Sequence, residues 1–490
     1  MDGQTAAAPA IIDDNGRRFS YGELTAMTLR AADALATLGV RAGDRVLLIS
    51  ENSAEYAVAL LAINRLGAWL SPVNARHTAT EIKAIADHAG ARALVFTTGA
   101  SANAARHGEE WRATVIAETE AGPLTVAGAF KVEPEPCGPD AAQNVAALIY
   151  TTGTTSAPKG VMLTNANLIW NAQTSSQVRG ITADDEVLSV LPGTHIFGFS
   201  SVVLGALSVG ATLRFIACFS PEAVLDALAA GVSVFPTVPN MFERILTHME
   251  RTGQPLSAPR LKYISAGGAP LDTDWKARTE KVFGLPLHNG YGITETSPGI
   301  ATTLPSAPRH DLSAGPPVPG VTVRVENPDE QGVGELIIQS PGVMKGYYRN
   351  EAETQRVLLP DGWFCSGDMG RVEEDGAITV LGRAKELIVR SGFNVYPPEI
   401  EAMLTQDPEV LQAAVVGRPV KGNEEIIAFI IAPGAETSKI AERLRAHLTP
   451  YKVPQRIIKV DAFPAAPTGK VLRHKLLSHF AETLAADRSD

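Results

Sequence analysis

The sequence predicts an α/β protein: a large N-terminal body of α/β subdomains that includes a small β-rich subdomain, followed by a small α+β C-terminal domain. Through the first half of the chain, short β-branched runs alternate with longer stretches of helical period, the pattern of a largely parallel sheet covered on both faces. After Gly299 the composition turns to proline and glycine, and short hairpin-like strands follow, such as residues 334–340. From about Lys385 a third pattern of helix, two strands and a last helix begins. These changes place the body at residues 1–383, with its β-rich part at about 300–383, and the second domain at 384–490. A length of 490 residues suggests roughly three folding units.

Near the start, Asn15-Gly16 lies between two apolar segments and signals a hairpin. Ser20 and Glu23 then stand three apart ahead of an alanine-rich run, as in a capping box. Residues 44–50 read as a strand, residues 54–66 as a helix ended by Gly67, and residues 91–98 as a further strand. Residues 196–213 are free of charge, but their glycines and serines make them weakly apolar, which predicts a buried helix and strand rather than a membrane span. The N-terminal residues show no basic region leading into an apolar core, so a secretory signal is not expected.

Lys and Arg number 43 against 53 Asp and Glu, a net charge of −10. A protein built to grip a nucleic-acid backbone is usually basic, so nucleic acid is not expected as a partner. The spacings of Cys137, Cys218 and Cys365 match neither a disulfide framework nor a zinc site, and they suit a reducing cytoplasm. The oligomeric state is open, a homodimer being one alternative.

Residues 147–165 carry the most chemistry. An apolar run ends at Tyr150; Thr151, Thr152, Gly153, Thr154, Thr155 and Ser156 follow, and Lys159 stands after Pro158. Small residues let the backbone approach a polyphosphate, hydroxyls and amides donate to its oxygens, and the lysine adds a point charge. No Ser or Thr follows the lysine in a GK[ST] step, so this is not a Walker A loop.

This loop resembles the phosphate loop of the adenylate-forming superfamily, which includes acyl-CoA synthetases, aryl-CoA ligases, peptide-synthetase adenylation domains and luciferases. Thr152 stands where serine is common and keeps the hydroxyl; Ser156 stands where glycine is common and costs some backbone freedom. Further segments in family order extend the resemblance over residues 9 to 476. The run His288 to Gly299 is similar to the family's aromatic-Gly-x-Thr-Glu segment and supplies Asn289, Gly290, Tyr291 and Gly292. The resemblance implies that Tyr291 packs on adenine, Thr294 touches the α-phosphate and Glu295 holds Mg²⁺. A hard carboxylate and an aromatic face suit those tasks.

By the same resemblance, Gly267, Gly268 and Ala269 line adenine and the acyl pocket, Asp368 accepts hydrogen bonds from the ribose hydroxyls, and Arg383 lies near ribose and phosphate. Lys385 matches the hinge about which the C-terminal domain moves. Ser391 and Gly392 match the channel for the pantetheine arm, and Lys470 matches the mobile catalytic lysine. His195 matches a histidine between acyl pocket and adenylate, although Gly193 and Thr194 replace the usual Leu and Phe; a histidine capping a helix is the other reading. Residues 449–475 concentrate Lys452, Arg456, Lys459, Lys470, Arg473 and Lys475 against Asp461, a basic surface suited to the phosphates of ATP and CoA.

The implied activity is that of an ATP-dependent carboxylate–CoA ligase, using ATP, Mg²⁺ and coenzyme A on a small-molecule carboxylic acid. The expected acyl pocket, Phe197, Phe199, Val238, Gly267 and Gly290, offers no cation for a second carboxylate, which favours an apolar monocarboxylate, fatty or aryl. Two alternatives stand beside it: a stand-alone enzyme loading a carrier-protein thiol, and a non-catalytic nucleotide-binding member of the same fold.

Overall fold

The computed structural model describes residues 5–128, 130–151, 159–390, 393–420, 423–465 and 471–486. The chain forms two compact units. The first comprises residues 1–271, 276–322 and 338–364, and the second residues 272–275, 323–337 and 365–490.

Two eight-stranded sheets build the first unit. In one, the strands Pro9–Ile12, Thr212–Phe215, Glu186–Ser189, Val234–Thr237, Tyr263–Gly267 and Leu287–Gly292 run parallel in that spatial order. Antiparallel edge strands, Arg18–Ser20 and Gly299–Thr302, close its two sides. The first of these is the expected hairpin, turned at Gly16 with φ +82°. Ser20 and Glu23 form the expected capping box at the head of the helix Tyr21–Thr37.

In the other sheet Ala93–Phe96, Arg45–Ser50, Trp69–Asn74 and Val145–Thr151 pair in parallel at the centre, and the pairings on both flanks are antiparallel. Every residue of Arg45–Ser50 is buried, as expected of a central strand covered on both faces. Leu47, Ile49, Leu94, Phe96 and Leu148 pack with Ile82 and Ile85 of the helix Ala79–Ala89. Arg45 is buried as well, and its guanidinium donates to the carbonyls of Gly43, Ala89, Gly90 and Glu133, which satisfy the charge.

The charge-free stretch folds as a π-helix, Phe197–Leu204, then a helical turn, Gly205–Val209, and the strand Thr212–Phe215. Among the described residues no helix is long and apolar enough to cross a membrane.

The second unit holds a four-stranded sheet in which Phe364–Val372 pairs with Ile378–Arg383. Its three-stranded sheet joins Gln412–Val420, Asn423–Ile431 and Arg456–Lys459. Val415, Ile426, Ala428 and Ile430 pack on the helices Pro397–Thr405 and Thr437–His447, while Ile427, Phe429 and Ile458 pack on Leu476 and Leu484. The single last helix read from the sequence is two short ones, Arg473–His479 and Ala481–Ala486.

Candidate active site

Thr151 and Lys159 face each other as register partners at the ends of the antiparallel strands Val145–Thr151 and Lys159–Thr164. The loop between them is thus closed by a β-hairpin rather than passing from strand to helix, in keeping with its departure from a Walker loop. Thr152, Gly153, Thr154 and Thr155 lie outside the described residues. Just ahead, the Tyr150 hydroxyl is 2.8 Å from Nδ1 of His88.

Lys159 lies 2.5 Å from Oε1 of Glu353, and its ammonium stands 5.2 Å from the centre of the Tyr347 ring. The Tyr347 hydroxyl in turn donates to Oε1 of Glu295 at 2.8 Å. The residue expected to meet phosphates and the residue expected to hold a metal are therefore joined through one aromatic side chain. Burial and the neighbouring Glu295 carboxylate push the Tyr347 phenol well above its ordinary range, so it stays a hydrogen-bond donor. Tyr347, Glu353 and Arg356 carried no motif in the sequence. The local signal there is Asn350, whose side chain accepts from the Glu353 N–H at 3.2 Å and caps the helix Glu351–Val357.

The strands Tyr263–Gly267 and Leu287–Gly292 place the next residues at their carboxyl ends, where ligands of open α/β sheets bind. Gly267 pairs with Gly290. A Cβ on Gly267 would lie 3.2 Å from the Gly290 carbonyl oxygen and 3.3 Å from the Phe197 ring. Gly268 has φ +77°, and a Cβ there would meet Val238 at 4.0 Å. Ala269 is exposed. Asn289 donates to the carbonyls of Leu312 and Ser313 at 2.9 and 3.2 Å, which fixes the strand, and Tyr291 beyond it is half-buried. Gly292 has no room for a side chain, since a Cβ would sit 2.2 Å from the Pro298 carbonyl oxygen. Thr294 is buried in the single turn Thr294–Thr296, and Glu295 is half-buried.

Of the other expected pocket residues, Phe199 is only 2% exposed, within the interior. His195 is exposed, and its Nδ1 accepts from the Phe197 N–H at 3.3 Å where the π-helix starts. A cation that the sequence segments did not supply also reaches this region. Arg179, the last residue of the helix Asn165–Arg179, stands 5.7 Å from the centre of the Phe197 ring and donates to the Ser201 carbonyl at 2.8 Å. In the strand Leu287–Gly292, His288 stacks on Tyr263 at 4.8 Å, and burial, with Lys276 adding, pulls its pKa down to about 4, so it is neutral at pH 7.

In the second unit, Asp368 is buried and pairs across the sheet with Arg383; Arg383 Nε lies 2.7 Å from Asp368 Oδ1. Lys385 is exposed in the turn Ala384–Glu386. Ser391 and Gly392, and Lys470, lie outside the described residues. Of the basic surface expected over residues 449–475, Lys452, Arg456, Lys459 and Arg473 are engaged within the second unit. Lys452 pairs with Glu399 at 2.6 Å, and Arg473 pairs with Glu401 at 2.6 Å and Glu386 at 3.6 Å. Lys459 and Arg456 donate to the Ala435 and Leu484 carbonyls. These partners come from distant segments, so a local charge tally could not reveal them.

Glu295 suits magnesium by its chemistry. Tyr347 engages Oε1 and leaves Oε2 as a hard oxygen donor, and Mg²⁺ is commonly held by only one or two protein carboxylates. Among the described residues there is no cluster of His, Cys, Asp and Glu that would form an all-protein metal cage.

A Thr/Gly segment flanked by paired antiparallel strands, a carboxylate suited to Mg²⁺ and glycines at the carboxyl ends of parallel strands fit the adenylate-forming class of enzymes. The chain belongs to the AMP-binding enzyme family: residues 2–348 match the AMP-binding enzyme model, and residues 399–470 match the AMP-binding enzyme C-terminal domain. It is 32% identical to a feruloyl-CoA synthase of Amycolatopsis over 95% of this chain and 94% of that protein. Among solved structures, ATP-bound MatB from Rhodopseudomonas palustris superposes with a TM-score of 0.84 at 28% identity, covering 98% of this chain and 97% of the other. The o-succinylbenzoate CoA synthetase of Bacillus subtilis, with ATP and magnesium, superposes with a TM-score of 0.81 at 27% identity, covering 96% and 97%.

Proposed function

We propose that this protein is an ATP-dependent, AMP-forming carboxylate–CoA ligase acting on an apolar monocarboxylic acid, aryl or fatty. The observation that carries the reading is the linked set in the first unit, Lys159 over the Tyr347 ring and the Tyr347 hydroxyl on Glu295, at the mouth of the Thr/Gly hairpin. Resemblance over nearly the whole chain to a feruloyl-CoA synthase supports an aryl acid. Free cysteines support a cytoplasmic location.

In the first step a carboxylate oxygen attacks the α-phosphorus of ATP, the bond to the bridging β-phosphate oxygen breaks, and pyrophosphate leaves. In the second, the CoA sulfur attacks the acyl carbonyl and AMP departs. Thr151 and Lys159 hold the phosphates, Thr294 the α-phosphate, and Tyr291 packs on adenine between Gly267, Gly268 and Gly290. Glu295 would hold magnesium, which would supply charge neutralisation at the phosphates. Asp368 and Arg383 bind ribose. His195 and Phe197 line the acyl side, with Gly267 beside the Phe197 ring. Lys470 steadies the developing charge during adenylation, by acting only where charge moves. Ser391 and Gly392 admit the pantetheine arm. Both segments belong to residues 384–490, which we read as alternating about Lys385 between the two steps.

The test is a panel of carboxylic acids scored by pyrophosphate and AMP release, with and without CoA. Aryl or fatty monocarboxylates should release pyrophosphate, and CoA should raise turnover and yield the thioester. Pyrophosphate release with no CoA thioester would move the assignment to a carrier-protein thiol. No release with any acid, despite ATP binding, would leave only a nucleotide-binding role.

A further inference from the structure

The Glu353 carboxylate makes three contacts with two residues, Lys159 and Arg356. Its Oε1 lies 2.5 Å from the Lys159 ammonium and accepts from Arg356 Nη2 at 2.8 Å, while Oε2 accepts from Arg356 Nε at 2.8 Å. Lys159 and Glu353 are 194 residues apart in sequence. Their side chains are 23% and 19% exposed, so the pair is only partly screened by water. An ammonium held this way is not available to a polyphosphate until the pair opens.

We propose that Glu353 is the resting dock of Lys159, and that nucleotide binding proceeds by exchange, the ammonium leaving this carboxylate for the phosphates. The proposal rests on reading Lys159 as the phosphate-loop cation. Arg356 is what makes the exchange inexpensive. Removing one member of a buried ion pair normally strands the other charge. Here Glu353 keeps a two-point contact with Arg356 when Lys159 departs, so no carboxylate is left uncompensated. Arg356 and Lys159 together hold the Glu353 carboxyl down at about 2, so the dock is charged at any working pH. The Tyr347 ring beneath the ammonium gives Lys159 a second favourable contact along the way. Glu353 is accordingly a positioning residue: it sets how readily Lys159 is released and touches no reacting atom.

The experiment measures the Kd of ATP by calorimetry on the full chain, without acid or CoA, for the wild type and for Glu353→Gln, Glu353→Asp, Glu351→Gln, Lys159→Ala and the Lys159→Ala/Glu353→Gln double variant. Glu353→Gln removes the competing charge, so ATP should bind about 3–10-fold more tightly. Glu353→Asp keeps the charge but withdraws it by one methylene, and should tighten binding in the same direction. Glu351→Gln removes an equal charge from the same helix without touching Lys159 and should change little. Lys159→Ala should weaken ATP binding at least about tenfold, and adding Glu353→Gln to it should then have no effect beyond that of Glu351→Gln. If Lys159→Ala weakens ATP binding but Glu353→Gln and Glu353→Asp do not strengthen it, the dock is overturned while the phosphate role of Lys159 stands. If Lys159→Ala leaves ATP binding unchanged, the phosphate role fails and the dock fails with it.

Discussion

The Tyr347 hydroxyl donates to Oε1 of Glu295 across 2.8 Å, and the two residues are 52 positions apart in the chain. Tyr347 comes from the short edge strand Gly346–Tyr347, which pairs with the strand that begins at Lys159. One backbone pairing thus sets the aromatic ring beneath Lys159, the proposed phosphate-binding cation, and the phenol beside Glu295, the proposed magnesium ligand.

Tyr347→Phe tests that arrangement, because it deletes only the hydroxyl and leaves the ring under Lys159. A hydrogen bond to a charged group contributes about 1.5–3 kcal/mol, part of which water recovers at a half-buried carboxylate. The half-saturating Mg²⁺ concentration for pyrophosphate release should rise about 3–10-fold, with kcat at saturating Mg²⁺ within about twofold of wild type. An unchanged magnesium titration would remove Tyr347 from the site.

The two half-reactions should separate by residue. Lys470→Ala should lower adenylation by at least about 10²-fold and leave transfer from preformed acyl-adenylate to CoA largely intact. Gly392→Leu should do the reverse, blocking thioester formation while pyrophosphate release survives. Equal losses in both half-reactions would contradict the role assigned to Lys470, and unchanged CoA turnover would contradict that of Gly392.

Gly267→Ala probes the acyl pocket. The new methyl would stand 3.2 Å from the Gly290 carbonyl oxygen and 3.3 Å from the Phe197 ring, closer than most side-chain contacts. Discrimination of about 1–3 kcal/mol, or 10–200-fold in kcat/KM, is expected against a bulky cinnamate-type acid relative to propionate. A uniform loss over large and small acids would instead mark a backbone disturbance.

Glu55 should make stability depend on pH. It is 6% exposed, Oε2 has no hydrogen-bond partner, and burial pushes its carboxyl up to about 7 against the N–H groups of Gly99 and Ala100, with Asp13 adding repulsion. A carboxyl raised in the folded state favours folding when protonated, so its contribution is complete below about 4.5 and is lost as pH rises through about 7. Glu55→Gln should flatten the melting-temperature profile between pH 4.5 and 8, removing up to about 3 kcal/mol of pH-dependent loss. Parallel profiles for the two proteins would refute this.

His288 works in the opposite direction. Its pKa is depressed to about 4, so the folded state resists protonation, and stability should fall as pH drops from about 6.5 toward 4. His288→Phe keeps an aromatic ring on Tyr263 but cannot be protonated; its melting temperature should fall less steeply over that window than that of the wild type.

Local chemistry made much of this protein legible in one dimension. Ser20 and Glu23 cap a helix through groups three residues apart, Asn15-Gly16 turns a hairpin through its own backbone, and the alternation of strands and helices sets the α/β class. The segments proposed to bind nucleotide could be read for a related reason, because the Thr/Gly loop with Lys159 and the stretch Tyr291 to Glu295 are each a short contiguous run, and Asp368 and Arg383 are register partners in one hairpin. What only the tertiary structure decided is which charges are spoken for. Lys159 sits on Glu353, Arg179 reaches the Phe197 ring, and Lys452, Arg456, Lys459 and Arg473 turn to Glu399, Glu401 and backbone carbonyls. Coulomb and hydrogen-bond energies depend on separation in space and on burial, and chain order fixes neither once strands from distant segments have paired.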